Sequence, residues 1–261
     1  MENSNKLNKD IIIIKIGGVV IEDKNILLPL IDEVLELKKR FRIIIVHGGG
    51  KEVSRVSTHF GFKPVFEKGV RITTHDEMEI VNMVLSGKIN KYIVRCFNKS
   101  GSNSVGLNGQ DARLFTGRRL DKTTCTGEIC RTDISFLSIL LSKGIIPVIA
   151  SISMDDEGKA LNINADEAAF KIAEAIRAEK LLFISDIPGI LKNNRVMKTV
   201  NEQIILDETD SGIIKGGMIP KTGMSIRALK NGVNNIIIGQ YTGNGGLSPL
   251  LSGEKGTTIK L

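Results

Sequence analysis

Short runs of β-branched residues alternate along the chain with longer stretches whose apolar residues recur at helical spacing. Residues 11–16, four isoleucines followed by Lys15 and Ile16, read as a buried strand. Residues 25–40 read as a helix with Leu28, Ile31, Leu35 and Leu37 toward one side. A second strand is expected at 43–46, then a helix through Val53 and Val56. Residues 74–98 read as one long or broken helical segment, 104–107 as a strand, and 114–129 as short β runs and turns that suit hairpins. Asp133 stands where it could cap a helix over 134–143. Beyond it come a strand at 147–151, a turn at 155–158, a helix over 166–178 and a strand at 181–185. The last elements are a helix over 218–231 and a strand at 235–238. This alternation predicts an α/β fold, an αβα sandwich around a mainly parallel central sheet. No long linker or internal repeat breaks it, so a single domain over 1–261 with two lobes in one body is expected.

Composition narrows the class. Of 261 residues 41% are hydrophobic and 25% charged, too apolar for a disordered chain. The net charge of +7 suits a solvated basic surface with mild attraction for anionic small molecules. There is no basic block, aromatic residues are only 4% and Trp is missing, which argues against a base-stacking nucleic-acid binder. Three cysteines, Cys96, Cys125 and Cys130, form no CxxC pair, so neither a disulfide framework nor a structural zinc site is expected. The first ten residues, MENSNKLNKD, are polar and unlike a signal peptide. No stretch approaches the roughly 20 apolar residues that span a bilayer. These features predict a soluble cytoplasmic chain without a membrane segment.

Candidate chemistry lies in four glycine clusters near strand ends or helix starts: 15–18 (KIGG), 47–50 (HGGG), 186–189 (DIPG) and 215–221 (KGGMIPK). In parallel α/β sheets ligands bind beyond the carboxyl ends of the strands. Glycine there lets the backbone approach a ligand, and a following helix adds its positive end, which makes an anion site. GxxxxGK[ST], GxGxxG and the protein-kinase signatures are all missing, so a polyanion would be held by these other loops and by lysines. Lys15 breaks an isoleucine run and could project past the sheet edge toward a phosphate, although a solvated strand-end lysine fits the local sequence too. Lys221 falls in a first helical turn, where the macrodipole disfavours a cation unless an anionic ligand joins it. Asn162, Asn164 and Asp166, spaced by two, would share one side of an extended segment and are also common caps. His47, His59 and His75 are isolated, show no metal-ligand spacing, and read best as core or structural histidines.

Taken together, these segments resemble the amino-acid kinase family over nearly the whole chain. The likeness runs through KIGG (15–18), VHGGG (46–50), KGVRIT (68–73), MVLSGKINK (83–91), SVGL (104–107), IPVI (146–149), NINAD (162–166), SDIPGI (185–190) and KGGMIPK (215–221). The GxRxT, NxNAD and GGMIPK segments are more particular to the branch that acts on N-acetylglutamate. The resemblance implies transfer of phosphate from ATP to the γ-carboxylate of N-acetyl-L-glutamate in arginine biosynthesis. Lys15 and Lys221 would bind the moving phosphoryl group, with Asp166 holding both. Gly49 and Gly50 would offer N–H groups, while Arg71, Asn162 and Asn164 would bind the acceptor. ATP would lie against Gly17, Gly18, Ser185, Asp186, Gly189, Gly216, Gly217 and Met218. The lobe over about 1–173 would bind the acceptor and dimerise, and that over about 174–261 would bind ATP. Mg²⁺ would ride mainly on the ATP phosphates. A carboxylate acceptor is already deprotonated at neutral pH, so no general base is needed, and none is evident.

Two departures stand out. Lys68 replaces the usual Asn before Gly69, and 239–246 lacks the usual Asp-Gly-Arg and His pattern. Arginine-inhibited relatives carry a longer N-terminal helix, so a homodimer without arginine feedback is expected. Two further readings stay open. One is a sister kinase acting on an N-modified aminoadipate in lysine biosynthesis, and the other is a non-catalytic amino-acid or nucleotide sensor of the same fold. A uridylate kinase is disfavoured by the GxRxT segment.

Overall fold

The computed structural model describes residues 11–67 and 69–261. The polar leader 1–10 and Lys68, both weighed above, lie outside them. Strand β1 (Ile11–Ile16) leads through helices α1 (Gly18–Glu22) and α2 (Lys24–Leu37) to β2 (Arg42–His47). Helix α3 (Gly50–His59) and the hairpin strands β3 (Val65–Glu67) and β4 (Val70–Ile72) follow. Then α4 (His75–Asn82), a π-helical segment (Met83–Ile89) and α5 (Asn90–Lys99) run on without a break. Strands β5 (Ser104–Asn108), β6 (Phe115–Arg119) and β7 (Thr126–Thr132) precede α6 (Ser135–Ser142), β8 (Ile146–Ala150), β9 (Ile152–Met154) and β10 (Ala160–Ile163). Helix α7 (Ala165–Ile176) leads to β11 (Lys180–Ser185) and the short β12 (Leu191–Lys192), β13 (Arg195–Val196) and β14 (Thr199–Val200). The chain ends with α8 (Glu202–Asp210), α9 (Met218–Lys230), β15 (Asn235–Gln240), α10 (Leu247–Ser252) and β16 (Thr257–Ile259).

Eight strands form the central sheet in the order β14-β16-β15-β11-β1-β2-β8-β5. Neighbours pair in parallel except β15 with β16. The period of two sorts each strand onto two faces. Ile11 and Ile13 join one core with α6, α7 and α9, while Ile12, Ile14 and Ile16 join the other with α2, the α4–α5 rod and α10. This is the expected three-layered α/β body. Strands β6, β7, β9 and β10 close into a small separate barrel that feeds α7. By alternation Lys15 belongs to the α7 face, one step beyond Ile13, at the carboxyl end of the sheet. Its register partners are Val46 and Phe183.

Several sequence expectations need correction. The buried stripe of α2 is Leu27, Leu30, Ile31 and Val34, whereas Leu28 is 44% exposed. The helix starts where Asp23 accepts a hydrogen bond from the Asn25 N–H, one residue earlier than expected, and the buried set 27, 30, 31, 34 follows the i, i+3, i+4 spacing. Asp133 does accept from the Ser135 N–H at 2.9 Å, yet α6 begins only at Ser135. His59 and His75 are exposed, not core. The β3–β4 hairpin, α8, α10, β14 and β16 had no counterpart in the sequence reading. Cys96, Cys125 and Cys130 are free thiols. Among the described residues no helix is long and apolar enough to cross a membrane.

Candidate active site

Two lysines meet on one carboxylate at the carboxyl end of the sheet. Lys15 Nζ lies 2.8 Å from Asp166 Oδ1, and Lys221 Nζ lies 3.0 Å from Asp166 Oδ2. Each residue arrives by a different route. Lys15 is the last residue but one of β1, Asp166 sits in the first turn of α7, and Lys221 sits in the first turn of α9. Asn164 caps α7 by accepting from the Asp166 N–H at 2.8 Å. Asp166 is therefore helical, and only Asn162 of the spaced trio lies on an extended strand. Lys221 also stands over the Phe183 ring, 5.3 Å from its centroid. Burial alone would push the Asp166 carboxyl up, but the two ammonium groups outweigh it and hold the carboxyl below the usual range. All three side chains are 16% exposed. The group carries one net positive charge at the mouth of two clefts.

The first cleft has a volume of about 220 Å³ and is lined by Lys15, Gly17, Gly18 and the loop Gly48–Gly50, with Arg71, Asn162 and Asn164. Gly49 brings the backbone against the π-helical segment, because a Cβ there would stand 2.1 Å from Ile89 Cδ1. Val81 and Leu85, from the same rod, supply an apolar wall. Arg71 is buried, and its guanidinium is fixed from several directions. Nη1 donates to Glu77 Oε1 at 3.1 Å, and Nη2 donates to the Gly50 carbonyl at 3.0 Å and to Ser54 Oγ. The Phe66 ring covers it at 4.7 Å. Burial depresses the Arg71 pKa, and the Glu77 carboxylate opposes that shift. Asn162 donates to Thr73 Oγ1 at 2.9 Å.

The second cleft, of about 960 Å³, is lined by Asp166, Ser185, Asp186, Gly216, Gly217, Met218 and Lys221. Gly69, Val70 and Asn164 border both clefts, so the hairpin tip stands over their junction. The two clefts therefore meet at the Lys15–Asp166–Lys221 bridge. Three residues expected on the nucleotide side do not line this second cleft. Gly17 and Gly18 line the first cleft beside Lys15. Gly189 borders neither cleft. Its φ is 151°, and a Cβ there would meet Thr257 Oγ1 at 2.6 Å, so it packs the chain against β16.

Sequence reasoning passed over Glu77, Ser54 and Phe66, and gave Thr73 no role beyond its place in the GxRxT segment. Glu77 carried a misleading signal: Thr74-x-x-Glu77 looks like a capping box. Thr74 does accept from the Glu77 N–H at 3.2 Å, but the Glu77 carboxylate turns to Arg71. His47 is fully buried between Asn90 and Gly48, while His75 lies at the start of α4 with Nδ1 3.2 Å from Cys125 Sγ.

Comparison with known proteins identifies the family. Residues 10–240 match the model of the Amino acid kinase family. The acetylglutamate kinase of Porphyra purpurea is 40% identical over 235 residues, covering 87% of this chain and 83% of that protein. That of Campylobacter hominis is 39% identical over 234 residues, covering 88% and 83%. The crystal structure of smu.665 from Streptococcus mutans UA159 superposes with a TM-score of 0.83 at 26% identity, covering 97% of this chain and 99% of that one. The chain thus belongs to the amino acid kinase family, on its acetylglutamate kinase branch.

Proposed function

We propose that this chain transfers the γ-phosphoryl group of ATP to the γ-carboxylate of N-acetyl-L-glutamate, giving N-acetylglutamyl 5-phosphate and ADP for arginine biosynthesis. The observation that carries the reading is the Lys15–Asp166–Lys221 bridge where an acceptor-sized cleft meets a larger one. A carboxylate oxygen of the acceptor attacks the γ-phosphorus, and the bond to the β,γ-bridging oxygen breaks. No proton moves, so positioning and charge stabilisation supply the catalysis. Lys15 meets the phosphoryl oxygens from the acceptor side and Lys221 from the nucleotide side. Asp166 keeps both ammonium groups aimed. The N–H groups of Gly49 and Gly50, at the start of α3, face the developing charge. Gly17 and Gly18 leave the backbone open beside Lys15.

Arg71 suits the α-carboxylate of the acceptor, because Glu77, Gly50 and Ser54 leave its Nε–H and one Nη1–H unused. Asn162 and Asn164 offer amide groups to the acetamido end. Ser185, Asp186, Gly216, Gly217 and Met218 border the space for the nucleotide. Asp166 commits both oxygens to lysines. In this reading Mg²⁺ comes mainly on the ATP phosphates, where it neutralises charge. The same reading makes the working unit a homodimer in the cytoplasm, on the strength of the family resemblance, and sedimentation velocity tests the dimer. A hydroxylamine trap with ATP, Mg²⁺ and a panel of N-acylated acidic amino acids tests the chemistry. Acyl phosphate is expected from N-acetylglutamate. Product from an aminoadipate derivative instead would move the assignment to the sister reaction, and no product from any acceptor would overturn it.

A further inference from the structure

We propose that His47, held in a single tautomer by Asn90, is a positioning residue that aims the Gly49 N–H at the transferring phosphoryl group. The inference rests on the role of Gly49 given above and adds two residues to it. His47 is the last residue of β2, has no exposed surface, and directly precedes the glycine loop. Its Nδ1 stands 2.9 Å from the Gly48 carbonyl oxygen. A carbonyl oxygen can only accept, so Nδ1 carries the proton. On the other side of the ring Nε2 lies 3.0 Å from Asn90 Nδ2.

The orientation of the Asn90 amide is set independently of the histidine. Its Nδ2 donates to the Val148 carbonyl at 2.9 Å and approaches the Leu107 carbonyl at 3.4 Å. The Val148 carbonyl can only accept, so the amide nitrogen must lie on that side; one of its two N–H groups goes to Val148 and the other faces His47. Nε2 must then accept, and the Nδ1–H form is the neutral tautomer that satisfies both contacts. A chain of hydrogen bonds thus runs from β5 and β8, through the first residue of α5, to the imidazole and the loop. Burial, countered by the Gly48 hydrogen bond and reinforced by the Lys15 charge, lowers the His47 pKa to about 4. The ring stays neutral at physiological pH.

The consequence lies in the peptide planes. In a trans peptide the C=O and N–H point to opposite sides. Drawing the Gly48 oxygen toward His47 turns the Gly49 N–H away from it. The next two carbonyls are held likewise. Gly49 O accepts from the Val53 N–H at 2.9 Å, and Gly50 O accepts from Ser54 Oγ at 2.9 Å and Arg71 Nη2 at 3.0 Å. Three consecutive carbonyls are engaged by the protein, which turns the N–H groups of Gly49, Gly50 and Lys51 away from those partners. His47 itself reaches neither cleft, so it acts through Gly48.

Two variants separate the ring nitrogens. His47→Asn keeps an N–H near the Nδ1 position for Gly48, whereas His47→Gln keeps an acceptor for Asn90 and loses that donor. Both are assayed with ATP, Mg²⁺ and N-acetylglutamate by the hydroxylamine trap, beside their melting temperatures. His47→Asn should retain kcat within about threefold, and His47→Gln should lose about tenfold or more, since a lost oxyanion donor costs about 10²–10³. KM for the acceptor should move by less than about threefold in both, because ground-state binding is left alone. Equal kcat in the two variants, whether both intact or both lost, overturns the proposal in favour of a packing role. The imidazole nitrogen-15 spectrum of the wild-type chain needs no activity and should show a neutral Nδ1–H ring at neutral pH. An Nε2–H ring overturns the proposal even if both variants fail to fold. A wild-type chain that makes no acyl phosphate overturns the kinase reading, while the spectrum still decides the His47–Asn90 arrangement.

Discussion

Asp166→Asn keeps the shape of the side chain and removes the negative charge that Lys15 and Lys221 share. Each ammonium lies within 3.0 Å of its own carboxylate oxygen. With charge centres about 4 Å apart and an effective dielectric of about 20, each attraction amounts to about 4 kcal/mol before desolvation. Relief of the carboxylate's own desolvation offsets part of this, and losing one member of a buried pair costs about 3–5 kcal/mol overall. Side chains that are 16% exposed place the triad at the lower end of that range. For a chain of this size each kcal/mol moves the melting temperature by about 2–4 °C, so the variant should melt about 6–12 °C below wild type. Sulfate should recover more of the melting temperature in the variant than it adds to wild type, because an anion can replace the carboxylate between the lysines. In the trap assay kcat should fall about 10²-fold or more, as the ammonium groups lose their fixed aim.

The acid limb gives a second readout of the same change. The folded Asp166 pKa lies below the unfolded value, so its contribution is fully present above the unfolded pKa of about 3.9. It is lost as pH falls from there through the folded value. Wild type should lose stability over that window more steeply than Asp166→Asn. A variant with the wild-type melting temperature, acid profile and kcat would refute the argument.

Other substitutions probe the acceptor cleft and the tether beneath the sheet. Arg71→Lys loses the planar fork held by Glu77, Gly50 and Ser54, so KM for the acceptor should rise about tenfold or more while KM for ATP changes by less than about threefold. An equal rise in both constants would contradict the placement of Arg71. Glu33→Ala removes the acceptor for Tyr241 Oη at 2.5 Å and for the Gly245 and Leu247 N–H groups at 2.9 and 2.8 Å. Burial, with the Glu33 hydrogen bond and charge, raises the Tyr241 pKa far above the ordinary phenol value. Orphaning these donors should cost about 2–4 kcal/mol, measured by urea denaturation, with kcat nearly unchanged. A stability equal to wild type would show the 241–247 loop to be held by other contacts.

Elements that announce themselves locally were legible in the sequence. Strands β1, β2, β8, β11 and β15 are buried on both faces, so they appear as nearly continuous apolar runs, rich in isoleucine in β1, β2 and β15. Lys15 was conspicuous because it breaks such a run, and Lys221 because a cation suits a first helical turn poorly. What depends on distant partners was not legible. Strand β16 is three residues long and defined by its antiparallel pairing with β15, so its own sequence carries little signal. The π-helical segment has an ordinary helical pattern in its sequence, and its wider turn is defined by backbone hydrogen bonding that no residue type announces. Glu77 sits six residues from Arg71 across a strand end and a helix cap, where a Glu in the first turn already has a sufficient reason to be present. Gly189 has a packing reason that its motif did not announce: a Cβ there would meet Thr257.

The charge arrangement explains why a single carboxylate serves two lysines. The N-termini of α3, α7 and α9 gather at the carboxyl end of the sheet and carry partial positive charge. Lys221 in the first turn of α9 is locally unfavourable, and two contacts offset that, Asp166 and the face of Phe183. Asp166 in turn gains from the first turn of α7, where an anion is favoured. One carboxylate is enough to keep two ammonium groups in place, yet it leaves one net positive charge beside the helix ends. A second carboxylate would make the protein alone more stable and would cancel the excess that a phosphoryl group in transfer must meet. The acceptor brings its own ionised oxygen and needs no base, so the side chains at this junction can all be given to charge stabilisation.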